Sequence, residues 1–437
     1  MRTSVIALEV TPSNRDDSLL RLRGLGSGRQ SEKQKREMKM RDIPLQAASI
    51  SGHLWRAAVL IGLCLLTARD VAAQAKPEAL KDFRIDGLVR FHNSVEAEAT
   101  RERLIRAIWP DGLPKTRPAK HDVAIGAPEF ASLDASLLAS AKRLDVDVSG
   151  FDWHADVYIV TPKSDGPVGS KLAIVHGGHM PEGAANYLAF GLSDTVNQLL
   201  RDGYVVAIIQ MPLVGWNRDA DCVIEGKKFE IRQRSVSGHD ELFSKVEPTL
   251  KAGTMRFFLE PITQALNELL AEYPSPKQAL MIGLSGGGWT THLYAAVDTR
   301  IDVSIPVAGA LPLYARPFSP GSAGDSEQEY RPIFGEEDSN KDGVLDRATG
   351  IASWLEVFAL GGIAPKDGRP RKQIQVLNQF DSCCFNGDVY KTYAEPLKQL
   401  ANGINHGDWS VFVDDTHRSH LISSHVLKNV LAKVVVP

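Results

Sequence analysis

A serine in the second half of the chain is surrounded by glycines. The stretch LMIGLSGGGWTTHLYAA, residues 280–296, places Ser285 between Gly283 and three consecutive glycines at 286–288. Glycine costs about 1 kcal/mol in the interior of a helix or strand, so four of them around one hydroxyl indicate a backbone with few other options. An apolar strand that ends in G-x-S-x-G and continues into a helix is the nucleophile elbow, a tight turn that exposes a serine at the edge of a sheet. The pattern predicts that Ser285 is a nucleophile.

A second glycine-rich turn lies upstream, in VHGGHM at residues 175–180. An oxyanion hole needs backbone N–H groups within hydrogen-bond distance of the reacting oxygen, and glycine permits that close approach. The helix that follows the elbow also points its amino terminus at the developing negative charge. We therefore assign the predicted oxyanion hole to the N–H groups of Gly178, His179 and Gly286. Without the serine elbow, the same residues would be an ordinary glycine turn.

Alternating strands and helices must position these two turns. The predicted strands are 155–162, 171–178, 204–212, 279–285, 302–309, 374–380 and 409–415, and the predicted helices include 91–109, 193–203 and 257–273. The strands are near-continuous apolar runs, which are typical of a parallel sheet buried on both faces. The sequence therefore predicts an α/β protein with a mostly parallel central sheet and helices on both faces.

From about residue 150 to residue 437 the chain resembles the α/β-hydrolase superfamily, including its esterase and peptidase branches. The resemblance rests on HGG at 176–178, on GLSGG at 283–287 and on the order of the elements. It implies the α/β-hydrolase fold and a Ser–acid–His triad in that chain order, with the acid after a late strand and the histidine after the last one. Asp381 and His420 occupy those two places.

Other residues near these places are alternatives. Asp388 lies seven residues beyond the preferred acid, where the next helix is predicted to begin. His417 lies where the chain is still leaving the sheet, and His425 falls inside a helical stretch predicted to begin near Leu421. We prefer His420 as the base because it lies at the junction of loop and helix, from which an imidazole reaches the elbow serine.

The resemblance implies a serine hydrolase that cleaves carboxylic esters through an acyl-enzyme and needs no cofactor. Its substrate would be a small-molecule or carbohydrate-linked ester. A peptidase of the same fold and a non-catalytic binding protein on this scaffold stay open as alternatives. A formal net charge of −3 over 437 residues leaves no basic excess to neutralise phosphates, which argues against a nucleic-acid partner.

A short apolar run indicates export. AAVLIGLCLLTA, residues 57–68, carries no charge; it is too short to span a bilayer and has the length of a signal-peptide core. VAAQA, which ends at Ala75, offers a small-residue cleavage site before Lys76. Met38 and Met40 lie upstream at a normal signal-peptide distance. We expect an exported bacterial protein, periplasmic or secreted, with no stable membrane anchor after cleavage.

The chain is therefore predicted to consist of a leader and one domain. Residues 1–75 are the leader, in which an over-extended gene start precedes a signal peptide at about 38–75. Residues 76–437 are predicted to form a single α/β-hydrolase domain, with a helical amino-terminal extension at 76–150. A segment rich in Pro, Gly and Ser at 311–350 is predicted to be a loop insertion that lies beside the active site as a partial lid.

Three further features of the sequence each allow two interpretations. Residues 338–349 match part of an EF-hand calcium loop through Asp338, Asn340, Asp342 and Asp346, but position twelve is Thr349 instead of glutamate, and Asp and Asn are ordinary turn formers. The adjacent Cys383 and Cys384 form either a vicinal disulfide or two buried thiols, and we prefer the thiols. His239 and Asp240 either line the substrate cleft or cap a solvated helix.

Overall fold

The structure is a computed structural model. It describes residues 80–436, with gaps at 149–150, 165, 181–185, 218, 225, 233–237, 248–252 and 322–323. The predicted signal peptide and the cleavage site before Lys76 lie outside the described residues.

Most of the described strands belong to one sheet. In chain order the strands are β1 (Ala119–Val123), β2 (Leu138–Asp147), β3 (His154–Pro162), β4 (Lys171–His176), β5 (Val205–Ile209), β6 (Asp219–Ile224), β7 (Lys227–Arg232), β8 (Gln278–Leu284), β9 (Val303–Val307), β10 (Glu336–Glu337), β11 (Arg347–Ala348), β12 (Lys372–Asn378) and β13 (Asp408–Asp414). Nine of them form a sheet in the order β1-β2-β3-β5-β4-β8-β9-β12-β13, while β6–β7 and β10–β11 are separate antiparallel pairs.

The centre of the sheet is parallel and buried. Along the sheet, the neighbours in the run β5-β4-β8-β9-β12-β13 pair in parallel. The neighbours in the run β1-β2-β3-β5 pair antiparallel. Every residue of β5, β8 and β9 is buried. Because successive side chains of a strand point to opposite faces, these strands must be covered on both sides. The predicted α/β architecture is confirmed.

Helices flank this sheet. They are α1 (Ser94–Ile108), α2 (Leu192–Arg201), α3 (Gly238–Lys245), α4 (Arg256–Glu272), α5 (Gly286–Val297), α6 (Arg331–Phe334), α7 (Trp354–Gly362), α8 (Ala394–Gly403), α9 (Ser424–Val426) and α10 (Ala432–Val434), with a π-helical turn at Leu427–Leu431 between the last two. Short 3₁₀ turns occur at Pro128–Phe130, Ala135–Leu137, Gly215–Asn217, Gly253–Met255, Leu313–Phe318 and Val389–Thr392. In the part of the chain that the structure describes, no helix is long and apolar enough to cross a membrane.

Local signals set several helix ends. The Asn93 side chain accepts hydrogen bonds from the N–H groups of Val95 and Glu96 and so caps α1. The carboxy-terminal helix starts at Ser424, later than the predicted start near Leu421. Ser423 explains the difference, because its side chain accepts from the N–H of Val426 and caps the first turn there.

The prediction of a helical extension at 76–150 was wrong in part, since this segment also supplies β1 and β2. Strand β2 reads LASAKRLDVD, in which four buried apolar residues are interspersed with partly exposed polar and charged ones. Such a half-exposed antiparallel strand lacks the continuous apolar run by which the buried strands were recognised. The segment 311–350 is likewise more than a loop, because it contains α6 and the β10–β11 pair.

Candidate active site

Ser285 lies in the turn between β8 and α5 with a strained backbone. Its φ is 58° and its ψ is −119°, a conformation that costs a non-glycine residue on the order of 1–3 kcal/mol. The turn is held on both sides: the Ser285 N–H donates to the Val307 carbonyl at 2.9 Å, and the Ser285 carbonyl accepts from Gly288 N–H at 2.8 Å. The strained serine that the glycine spacing predicts is therefore present.

The glycines of the turn leave no room for side chains. A Cβ atom on Gly283 would lie 2.2 Å from the carbonyl oxygen of Gly287, and one on Gly287 would lie 2.2 Å from the carbonyl oxygen of His176. A Cβ atom on Gly286 would lie 2.1 Å from the sulfur of Met211. These contacts are far below van der Waals distance, and at Gly283 and Gly287 they involve backbone atoms, so these two positions require glycine, whereas a side chain at position 286 would have to displace the Met211 side chain.

We expect Gly283→Ala to lower the free energy of unfolding by at least about 1–3 kcal/mol, because the added methyl group must displace backbone atoms. Chemical denaturation of the variant and the wild type measures this loss. Gly126→Ala is the matched control, since a Cβ atom there meets nothing within 4 Å. An equal effect of the two substitutions would contradict the steric explanation.

His420 and Asp381 form a hydrogen-bonded pair. The distance from His420 Nδ1 to Asp381 Oδ2 is 2.7 Å. Asp381 Oδ1 accepts a hydrogen bond from the N–H of Cys383 at 2.8 Å, and the carboxylate side chain is fully buried. Burial by itself raises the pKa of Asp381, but the hydrogen bond and charge of His420 and the Cys383 N–H outweigh it, so this pKa lies below its ordinary value. Asp381 therefore stays ionised and orients the imidazole.

The second nitrogen of His420 is available for chemistry. His420 Nε2 is buried and has no hydrogen-bond partner in the described part of the chain, so it is not bonded to Ser285 here. Strands β8, β12 and β13 all end at the carboxyl edge of the parallel sheet, where Ser285, Asp381 and His420 follow them. Nucleophile–base hydrogen bonds are often long in ligand-free enzymes and shorten when the substrate binds.

The alternative residues have other partners. Asp388 is exposed and forms an ion pair with Lys391 at 2.9 Å. His417 Nε2 contacts Asp414 Oδ2 at 3.2 Å, and His425 Nδ1 contacts the side-chain amide of Asn429 at 3.1 Å. Of the three histidines after β13, His420 is thus the one that pairs with Asp381.

The predicted oxyanion donors lie against the elbow. A Cβ atom on Gly178 would lie 2.7 Å from both the Gly286 nitrogen and the Ser285 Cβ. Within the described ranges, the N–H groups of Gly178, His179 and Gly286 donate to no protein acceptor. The turn after β4 and the elbow thus meet beside the serine, where backbone donors to an oxyanion are needed.

Cys383 and Cys384 are joined by a disulfide, so the preference for two buried thiols was wrong. Cys383 is exposed and Cys384 half-buried. The backbone of this pair donates to Asp381, and its sulfur atoms lie within 4.8 Å of a ring nitrogen of His420. This supporting role was not predicted from the sequence, although the two cysteines follow Asp381 almost directly.

The partial calcium motif forms a turn stabilised by its own side chains. Asp338 Oδ2 accepts from the N–H of Gly343 at 2.8 Å, and Asp346 Oδ1 accepts from the N–H of Ser339 at 2.8 Å. Asn340 Oδ1 accepts from the N–H of Asp342 at 3.0 Å. Among these described residues, no three carboxylates bring oxygen atoms within 4.8 Å of one another. The geometry favours the turn-forming alternative.

No family model matches the chain, and no curated protein matches its sequence. Among solved structures it is similar to an acetyl xylan esterase from Paenibacillus sp. R4, with 14% identity and a TM-score of 0.47, covering 82% of this chain and 98% of that one. It is also similar to acetyl xylan esterase 1 from Thermoanaerobacterium sp. JW/SL YS485, with 14% identity and a TM-score of 0.46, covering 82% of this chain and 96% of that one. A third similar structure is an S-formylglutathione hydrolase from Agrobacterium tumefaciens, with 12% identity and a TM-score of 0.40, covering 66% of this chain and 91% of that one. TM-scores this low carry no argument about activity; the chain's own strand order and serine turn are those of the α/β-hydrolase fold.

Proposed function

We propose that the protein is a serine hydrolase that cleaves carboxylic esters through an acyl-enzyme intermediate. The observation that carries this proposal is a strained serine at the carboxyl edge of a parallel sheet, at the same edge as a His–Asp pair with a buried carboxylate, in which the second ring nitrogen of the histidine is unused. A nucleophile, a base and an orienting carboxylate are the three groups that acyl transfer by serine needs.

The proposed reaction has two halves. In the first, His420 Nε2 accepts the proton of Ser285 Oγ as that oxygen attacks the ester carbonyl, and Asp381 holds the Nδ1–H of the imidazole. The N–H groups of Gly178, His179 and Gly286 donate to the oxyanion, and His420 passes its proton to the leaving alcohol. In the second, His420 deprotonates a water molecule that attacks the acyl-enzyme, which releases the carboxylic acid and restores Ser285.

Labelling with a fluorophosphonate probe tests the nucleophile, because such probes react with activated serines. We expect one adduct per chain, located at Ser285 by peptide mapping. A folded chain that takes up no probe would indicate the alternative of a non-catalytic binding protein. Peptide mapping that finds the adduct on another serine would also contradict the proposed mechanism.

A panel of chromogenic esters, acetylated sugars and peptide anilides tests the substrate class. We expect small-molecule or carbohydrate-linked esters to be cleaved with the larger kcat/KM, because the same triad acts on both bonds and an alcohol leaves the tetrahedral intermediate more readily than an amine does. Faster cleavage of the anilides would assign the protein to the peptidase alternative.

We also propose that the protein is exported, on the basis of the uncharged apolar run at 57–68 and the small residues that end at Ala75. Expressed from Met38 or Met40 in a Gram-negative host, the protein should accumulate in the periplasm with an amino terminus near Lys76. Amino-terminal sequencing of the periplasmic fraction measures this. An intact leader on the exported chain would refute the proposed cleavage.

A further inference from the structure

Two histidines and a glutamate from three separate segments meet beside the elbow. His179 follows β4, His239 lies in the first turn of α3, and Glu327 lies in a turn of the segment 311–350. The side chains of His239 and Glu327 are 2% and 0% exposed, and that of His179 is 16% exposed. None of these side chains has a role in the proposed ester hydrolysis, in which His179 contributes only its backbone N–H.

The three ligand atoms are spaced as they are around a tetrahedral metal ion. His179 Nε2 lies 2.9 Å from His239 Nδ1, His239 Nδ1 lies 3.2 Å from Glu327 Oε1, and His179 Nε2 lies 3.6 Å from Glu327 Oε1. Donor atoms about 2.0–2.1 Å from a tetrahedral zinc ion are about 3.3 Å apart. The circle through the three observed atoms has a radius of about 1.9 Å. An ion placed slightly above the centre of this circle would therefore lie about 2.0–2.1 Å from all three atoms, which is the distance of zinc from its ligands.

The outer nitrogen of His239 has a hydrogen-bond partner that suits a metal ligand, and the outer nitrogen of His179 faces a carboxylate. His239 Nε2 lies 2.7 Å from the carbonyl oxygen of Pro212, which makes Nε2–H the donor and leaves the Nδ1 lone pair for a metal. His179 Nδ1 lies 3.5 Å from a carboxylate oxygen of Asp325.

One further atom in the cluster lacks a partner. The Glu327 side chain is fully buried, and its Oε2 atom has no hydrogen-bond partner within the described residues. Leaving a buried carboxylate oxygen without a donor is costly, and a cation beside the carboxylate would compensate for it.

We propose that His179 Nε2, His239 Nδ1 and Glu327 Oε1 bind a divalent transition-metal ion, with zinc as the ion that the donor set and spacing fit. Two imidazoles and one carboxylate are donors that zinc accepts, and three protein ligands leave a fourth position for water or another molecule. The ion would join the turn after β4, helix α3 and the segment 311–350 at one point. Binding of an ion to the folded chain alone must stabilise that fold.

Metal uptake by the full-length protein tests the proposal. The protein is freed of metal with a chelator, dialysed against zinc or against cobalt(II) as a spectroscopic probe, and analysed for bound metal. We expect one ion per chain, visible absorption bands of four-coordinate cobalt(II), and a thermal midpoint that rises by several degrees with zinc. These readouts are independent of ester hydrolysis, so their failure would leave the proposed enzymatic function untouched.

Glu327→Gln keeps the size of the side chain but removes a charged ligand, and we expect it to weaken zinc binding at least about 100-fold. Glu102→Gln, an exposed substitution on α1, is the matched control and should bind zinc as the wild type does. If the wild type takes up no stoichiometric metal, the cluster is a metal-free histidine–carboxylate network and the proposal fails. Unchanged binding in both Glu327→Gln and His239→Gln would place the ion elsewhere and also overturn it.

Discussion

Ester turnover by Ser285→Ala should fall by on the order of 10³-fold or more, with the fold preserved. The substitution removes the nucleophilic oxygen but keeps the Cβ atom and the strained φ of 58°. The thermal midpoint of Ser285→Ala should therefore stay close to that of the wild type. Steady-state rates on a chromogenic ester, combined with thermal unfolding, measure both effects.

Ser285→Gly is an informative companion variant. It should be as inactive as Ser285→Ala, yet more stable by about 1 kcal/mol or more, because glycine adopts this backbone conformation without steric cost. Loss of activity together with a gain in stability would show that the chain keeps a strained backbone at position 285 because that conformation positions the catalytic hydroxyl group. Retention of a wild-type rate in either variant would eliminate Ser285 as the nucleophile.

His420→Ala should lose turnover on the order of 10³-fold or more, to about the level of Ser285→Ala, while His417→Ala keeps most of its activity. The reason is pairing: His420 contacts Asp381, whereas His417 contacts Asp414, whose carboxylate also accepts from Ser423. Single-turnover rates of the two variants separate the two histidines.

Two further comparisons sharpen this test. Asp381→Asn and Asp414→Asn remove the same charge from the two His–Asp pairs, and only the first should reduce turnover strongly. In the double variant Ser285→Ala/His420→Ala the two defects should not add, because nucleophile and base act as one unit. An inactive His417→Ala beside an active His420→Ala would assign the base to His417.

The buried strands could be predicted because their signal is local. β5 and β8 consist of consecutive apolar residues, the pattern that burial on both faces demands. β2 was missed because one of its sides is partly exposed and its polar residues interrupt that pattern. Helix starts were predicted less well than helix positions, since a cap such as Ser423 shifts a boundary by a few residues.

The turn at Ser285 is the part of the site that the sequence by itself determined. Its glycines lie within a few residues of the serine, so the G-x-S-x-G pattern is local, although the atoms that Gly286 and Gly287 would collide with belong to Met211 and His176. The choice among acids and bases was different, because Asp381 and His420 are 39 residues apart in the chain, and Asp388, His417 and His425 stayed open as alternatives near the same two places. The order of β12 and β13 in the sheet decided which of these side chains meet.

The His179–His239–Glu327 cluster shows the same limit more strongly. His179 and His239 are 60 residues apart in the chain, and His239 and Glu327 are 88 apart. No local pattern marks Glu327, which lies in an irregular turn, and His239 could be placed from the sequence only in general terms, near the cleft or at a helix end. Residues within one turn constrain each other through backbone sterics that can be read from their order. Residues from distant segments meet only because strands and helices pack in one arrangement, so the tertiary structure alone brought these three side chains together.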